Sequence, residues 1–208
     1  MPRPFLRIRV ALQTLSLSLG LLLGACAGPT QVITTDFTQV SGVYLIAYVD
    51  RADIRERLEL QFVEDLEARG IRAVASAPDL PDIKAARPRD MVRAANGHSV
   101  AAIIIVNRVA ADGSGSIIEA EERVRPADLP AYYEITSSEV DRYTDGEPIF
   151  AEANGFLVDG NRTRRFWTGT TWTLAGDDDA VIGNVSATIA DELDRAGREF
   201  RDYSRPIQ

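Results

Sequence analysis

The sequence predicts a mixed α/β domain that opens as a βαβ unit, continues as antiparallel strands and ends in a long helix packed on the sheet. Three observations lead there. Val43 to Val49 and Val100 to Val109 are apolar runs rich in β-branched residues, as in strands covered on both faces. Between them, Ile54, Leu58, Phe62 and Leu66 recur every fourth residue, which lines one face of a helix. From Ile117 onward, apolar and polar residues alternate between turn signals, as in strands with one wet face.

Each element has its own justification. Asp53-Ile54-Arg55-Glu56 has the spacing of a capping box and predicts the start of the first helix. Gly70 supplies its left-handed stop, Ile71 is placed to fold back onto Leu66, and Ile71 to Ala77 reads as a second strand. Pro78, Pro81 and Pro88 punctuate a loop. A short helix over Arg89 to Ala95 ends at Asn96-Gly97 and delivers the chain to the central strand, Val100 to Val109. Asp112 to Ser116 reads as a turn, Ile117 to Arg125 as a strand, and Pro126 to Pro130 as a break. Tyr132 to Tyr143 alternates like a strand, and Thr144-Asp145-Gly146-Glu147 signals a hairpin into Ile149 to Val158. Asp159-Gly160-Asn161 turns the chain into a last strand, Arg164 to Leu174, with Phe166, Trp172 and Leu174 on one parity. Asp177 or Asp178 caps the closing helix, whose apolar stripe is Ile182, Val185, Ile189, Leu193, Ala196 and Phe200.

Ahead of this domain stands a segment of different character. Arg3, Arg7 and Arg9 precede an apolar run from Val10 to Leu23, and no Asp or Glu occurs before Asp36. The run is shorter than the ~20 residues that a permanent membrane-spanning helix needs, and the order basic, apolar, small is that of an export signal. It ends in Leu23-Gly24-Ala25-Cys26, and Cys26 is the chain's one cysteine. This tetrapeptide resembles the lipobox of bacterial lipoproteins. The resemblance implies diacylglycerol on the Cys26 thiol, cleavage before Cys26 and a further acyl chain on the freed amine. Two or more such chains hold a protein stably in a bilayer. Because Ala27 is not aspartate, the resemblance further implies the outer membrane, with the domain facing the periplasm. The expected organisation is a signal at 1–25, a lipidated terminus and flexible tether at 26–40, and one periplasmic α/β domain at 41–208.

Charge narrows the partners. Removal of residues 1–25 leaves 183 residues with 20 basic against 31 acidic side chains, a formal net charge of −11. Such a body repels phosphate backbones, so no nucleic-acid partner is expected. With Cys26 consumed by lipid, no thiol remains for a disulfide or a thiolate metal site, and no metal or other cofactor is expected.

No catalytic signature stands out. His98, the one histidine, lies between Gly97 and an apolar strand and reads as a helix-terminus residue. Ser99, Ser137, Ser138 and Ser186 lack the Gly-x-Ser-x-Gly turn. Asp177-Asp178-Asp179 reads as helix capping rather than cation binding. Asp112 to Ser116 lacks the Gly-Lys-Ser/Thr ending of a phosphate loop. Arg162, Arg164 and Arg165, with Phe166 and Trp167, form a basic–aromatic cluster that could contact an anionic partner or guard a strand edge against aggregation.

The lipobox, the strand–helix–strand opening, the apolar Ser99 to Ile105 segment, the Tyr143 to Phe150 strand connection and the C-terminal helix together resemble a group of small Gram-negative periplasmic lipoproteins. These share a fold with CsgG and the N-terminal domain of TolB, and many have no known function. The resemblance implies a fold and carries little functional content. The expected function is a lipid-anchored, non-catalytic binding or assembly module in envelope maintenance or transport, with an envelope protein as partner. A lipid or small-ligand carrier and a hydrolase with an unrecognised carboxylate site are the alternatives.

Overall fold

The computed structural model describes residues 31–32, 40, 42–49, 51–109, 127–136, 149–173 and 177–203. In chain order the elements are β1 (Gln31–Val32), β2 (Val43–Tyr48), α1 (Ala52–Ala68), β3 (Ala73–Ala75), α2 (Pro88–Gly97), β4 (Ala102–Val109), α3 (Leu129–Thr136), β5 (Ile149–Asp159), β6 (Arg162–Thr173) and α4 (Asp178–Tyr203). The strands form one sheet in the order β1-β6-β5-β4-β2-β3. β2 runs parallel to β3 and β4, and the pairs from β4 through β1 are antiparallel. The mixed α/β architecture, the βαβ opening and the antiparallel second half are therefore as the sequence predicts.

The apolar run of β2 has a physical reason. Val43, Leu45 and Ala47 enter one core with α1 and α4, while Tyr44, Ile46 and Tyr48 enter another with α2 and α3. The molecule is thus three layers, with two helices on each face of the sheet. Leu58, Phe62 and Leu66 of α1 and Ile182, Val185, Ile189, Leu193 and Ala196 of α4 are all buried in the first core. Phe200 lies in the last turns of α4, where side chains are outside the described set.

Helix ends differ from the sequence reading in instructive ways. At α1 the capping box over Asp53 to Glu56 does not form, because the helix starts two residues earlier, with Arg51 as N-cap and no side-chain cap. Asp53 instead sits within the first turn and pairs with the Arg51 guanidinium at 2.7 Å. The far end follows expectation: Gly70 takes φ 77° and Ile71 N–H donates to Leu66 O at 2.9 Å. Asp177 does cap α4, its Oδ1 accepting from Ala180 N–H at 2.8 Å.

The strand expected over Tyr132 to Tyr143 is overturned as far as Thr136. Its first part belongs to α3, and residues 137–148 lie outside the described set. Asp128 Oδ1 accepts from Ala131 N–H at 3.0 Å, and Pro130 occupies the first turn, where its missing N–H costs no helical bond. Leu129, Tyr132 and Tyr133 then fall on one buried face, a spacing of helix rather than strand. The turn at 112–116, the strand at 117–125 and the hairpin signal at 144–147 also lie outside the described residues.

Strand β6 departs from simple alternation. Gly155 opposes Trp167 while Phe156 opposes Arg165, so Phe166 is the extra residue of a β-bulge. Consecutive Phe166 and Trp167 consequently both point into the α1/α4 core. Glycines make the room: a Cβ on Gly155 would lie 2.7 Å from Phe166 Cε1, and one on Gly169 would lie 2.5 Å from Trp167 Cζ2.

Candidate functional site

The site begins with a charge pair that the sequence pattern hides inside a helix. Arg55 and Glu59, one turn apart on α1, are 3% and 0% exposed. Their ion pair is 3.0 Å long, and their further side-chain bonds tie α1 to the end of β2 and to the segment that follows β3. Glu59 Oε1 accepts from Ala47 N–H at 2.9 Å and Ser76 Oγ at 2.8 Å, and its Oε2 accepts from Ala77 N–H at 2.7 Å. Arg55 donates to Ser76 Oγ at 2.7 Å and to Leu80 O at 2.6 Å. β3 pairs with β2 only as far as Leu45, so the next β2 donor facing that side, Ala47 N–H, would be buried without a partner. The Glu59 carboxylate supplies it. Removing one member of such a network would strand the other as a buried charge.

This network holds the loop that follows β3. Asp79 N–H and Leu80 N–H both donate to Ser76 O, at 3.0 and 2.9 Å. The loop carries Asp79 to the edge of the α2/α3 core, where two rings meet it. Tyr44 of β2 donates its hydroxyl to Asp79 Oδ2 at 3.0 Å, and His98 Nε2 lies 2.7 Å from the same oxygen. The Tyr44 and His98 rings are stacked, with centroids 5.7 Å apart and planes 23° apart. Burial, reinforced by the bond to Asp79 and its negative charge, keeps the Tyr44 phenol protonated far above the ordinary tyrosine range.

His98 is placed by an unusual helix end. The Asn96-Gly97 stop does not operate, because α2 continues through Gly97 with His98 as its C-cap. The left-handed residue is Ser99, at φ 56°. Ser99 N–H donates to Asn96 O at 3.1 Å and Val100 N–H to Ala95 O at 3.3 Å, the paired bonds of a Schellman ending with serine where glycine is usual. Arg72 donates to the His98 carbonyl at 3.0 Å and fixes it further.

Beside His98 lies an open cleft of about 600 Å³ between the 79–86 loop and α2. Leu80, Pro81 and Ala94 give it an apolar wall, and Asp79, Asp82, Asp90 and Arg93 line it with charge. Each carboxylate is already engaged. Asp82 Oδ1 accepts from Lys84 and Ala85 N–H, and Asp90 binds Arg87 N–H at 3.1 Å and the Arg93 guanidinium at 3.3 Å. Among the described residues no group of three or more His, Cys, Asp and Glu converges as a metal site. The cleft can therefore hold a small molecule or a side chain against its apolar wall and the His98 imidazole.

The residues singled out in the sequence fare differently. Leu23, Gly24, Ala25 and Cys26 lie outside the described residues. Arg162 and Arg164 are exposed, whereas Arg165 is 7% exposed and Trp167 fully buried, so the bulge divides the basic–aromatic cluster between surface and core. Trp167 Nε1 is buried with no hydrogen-bond acceptor among the described residues. Asp178 and Asp179 pair with Arg51 and Arg57 across to α1. The Tyr44–Asp79–His98 cluster escaped sequence reading because 35 residues separate Tyr44 from Asp79, and no local spacing links them.

No protein-family model matches the chain. It is 25% identical over 144 residues to a probable cytosol aminopeptidase of Aquifex aeolicus (strain VF5), a match covering 66% of this chain and 28% of that protein. The chain thus spans less than a third of the length of this relative. Among solved structures it is similar to two PelC dodecamers from Paraburkholderia phytofirmans, each at 12% identity. One match has a TM-score of 0.43 and covers 80% of this chain and 98% of the other; the second has a TM-score of 0.38 and covers 77% and 90%. Likeness at that level says nothing about what this chain binds or how it assembles.

Proposed function

We propose that the chain is a lipid-anchored protein of the outer membrane whose periplasmic α/β body binds an envelope partner and performs no chemistry of its own. The observation that carries this reading is the chain's one cysteine, Cys26, standing directly behind Leu23-Gly24-Ala25 and an apolar run too short to span a bilayer. A small-ligand role for the body is the second reading, favoured by the open cleft beside His98. Metabolic labelling with a fatty-acid analogue tests the anchor. The wild-type chain takes up label and fractionates with outer membranes, and Cys26→Ala does neither. Equal labelling of the two would overturn the proposal.

A further inference from the structure

The short strand β1 has a consequence for how the body sits on a membrane. Gln31 pairs with Thr168 and Val32 with Trp167, so the chain joins the outer edge of β6 five residues after Cys26. A fully extended chain advances at most ~3.6 Å per residue, so Gln31 lies within ~18 Å of the Cys26 Cα. Strands are spaced ~4.8 Å apart, which puts β3, five strands along, roughly 24 Å from β1. With Cys26 acylated, the tie to the lipid would therefore be at one edge of the sheet, the β1 edge.

Charge distinguishes the same edge. The chain beyond residue 25 carries a formal net charge of −11 and is repelled by an anionic lipid surface in most orientations. β6 bears Arg162 and Arg164, both exposed and two residues apart, hence on one face of the strand. Asp159 opposes Arg162 across the ladder, while Arg164 opposes Leu157.

We propose that the β6 edge is the membrane-facing surface of the body, held down by β1 and presenting Arg162 and Arg164 to anionic lipid headgroups. The proposal rests on acylation of Cys26. It is tested with the full-length lipidated protein in vesicles of phosphatidylcholine with phosphatidylglycerol. A dye is attached to one added cysteine, Asn161→Cys at the β5–β6 turn or Pro78→Cys beyond β3, since acylated Cys26 offers no thiol. Energy transfer to a headgroup-labelled lipid is expected to be at least two-fold stronger from position 161 than from 78. The difference should shrink when Gln31→Pro and Val32→Pro together break the β1 pairing, and when Arg162→Glu and Arg164→Glu reverse the charge. Equal transfer from both positions, in protein that mass spectrometry shows to be acylated, would overturn the orientation and leave the anchor standing. Protein made with its own signal that mass spectrometry shows to carry no acyl chain on Cys26 would overturn both.

Discussion

Glu59 and Ser99 show how single residues place the cleft. Glu59 accepts from two backbone amides and a serine while pairing with Arg55, so each buried polar atom in that corner has its partner. Glu59→Ala leaves the guanidinium unpaired and should cost about 3–5 kcal/mol in urea unfolding; a loss below about 1 kcal/mol would contradict the assigned role. Ser99→Gly relieves a left-handed serine and should raise stability by about 0.5–1 kcal/mol without moving His98. Tyr44 supplies a pH test. Its folded pKa is raised, so its contribution is intact below the unfolded value of about 10 and is lost as pH climbs beyond it. Tyr44→Phe should flatten the fall of the urea midpoint above pH 10, and an unchanged alkaline slope would refute that assignment. None of this was legible in the chain. A buried Arg–Glu pair at i, i+4 looks the same in sequence as an exposed one, and Asp79 meets His98 only after β3 and α2 are in place.

At the level of elements, the legible ones were those whose burial is one-sided or complete. β2, α1, α4 and the β5–β6 hairpin follow from periodicity and turn residues, including Gly160 at φ 59° in the two-residue loop. α3 escapes the pattern because Pro130 reads as a break, whereas behind Asp128 a proline in the first turn starts a helix. In β6 a bulge adds a residue that alternation cannot reveal. The glycine opposite that bulge gives the sharpest test. Gly155→Ala drives a methyl group into the Phe166 ring and should destabilise by about 1–3 kcal/mol. A neutral outcome in thermal melts would mean the bulged ring packs elsewhere.

Across the whole molecule, α1 and α4 are fastened to each other as well as to the sheet. Arg51, Arg57 and Arg69 of the α1 segment reach Asp178, Asp179 and Asp191 of α4, and Ser186 Oγ donates to Asp65 Oδ2 at 2.6 Å. Exposed pairs of this kind contribute only ~0–1 kcal/mol each, and the shared apolar core supplies the main hold. Stability should accordingly change little between low and high salt, and a collapse at high salt would show that the pairs matter more than the core. With α1 and α4 covering one face and α2 and α3 the other, the cleft beside His98 and the β6 edge are, among the described residues, the surfaces proposed to bind. Every functional statement here depends on what becomes of Cys26, so intact-mass and peptide mass spectrometry of protein extracted from native envelopes is the most direct test. The account predicts a mature chain beginning at Cys26 with diacylglycerol on sulfur. A free Cys26 thiol, or a mature terminus at any other residue, would contradict it.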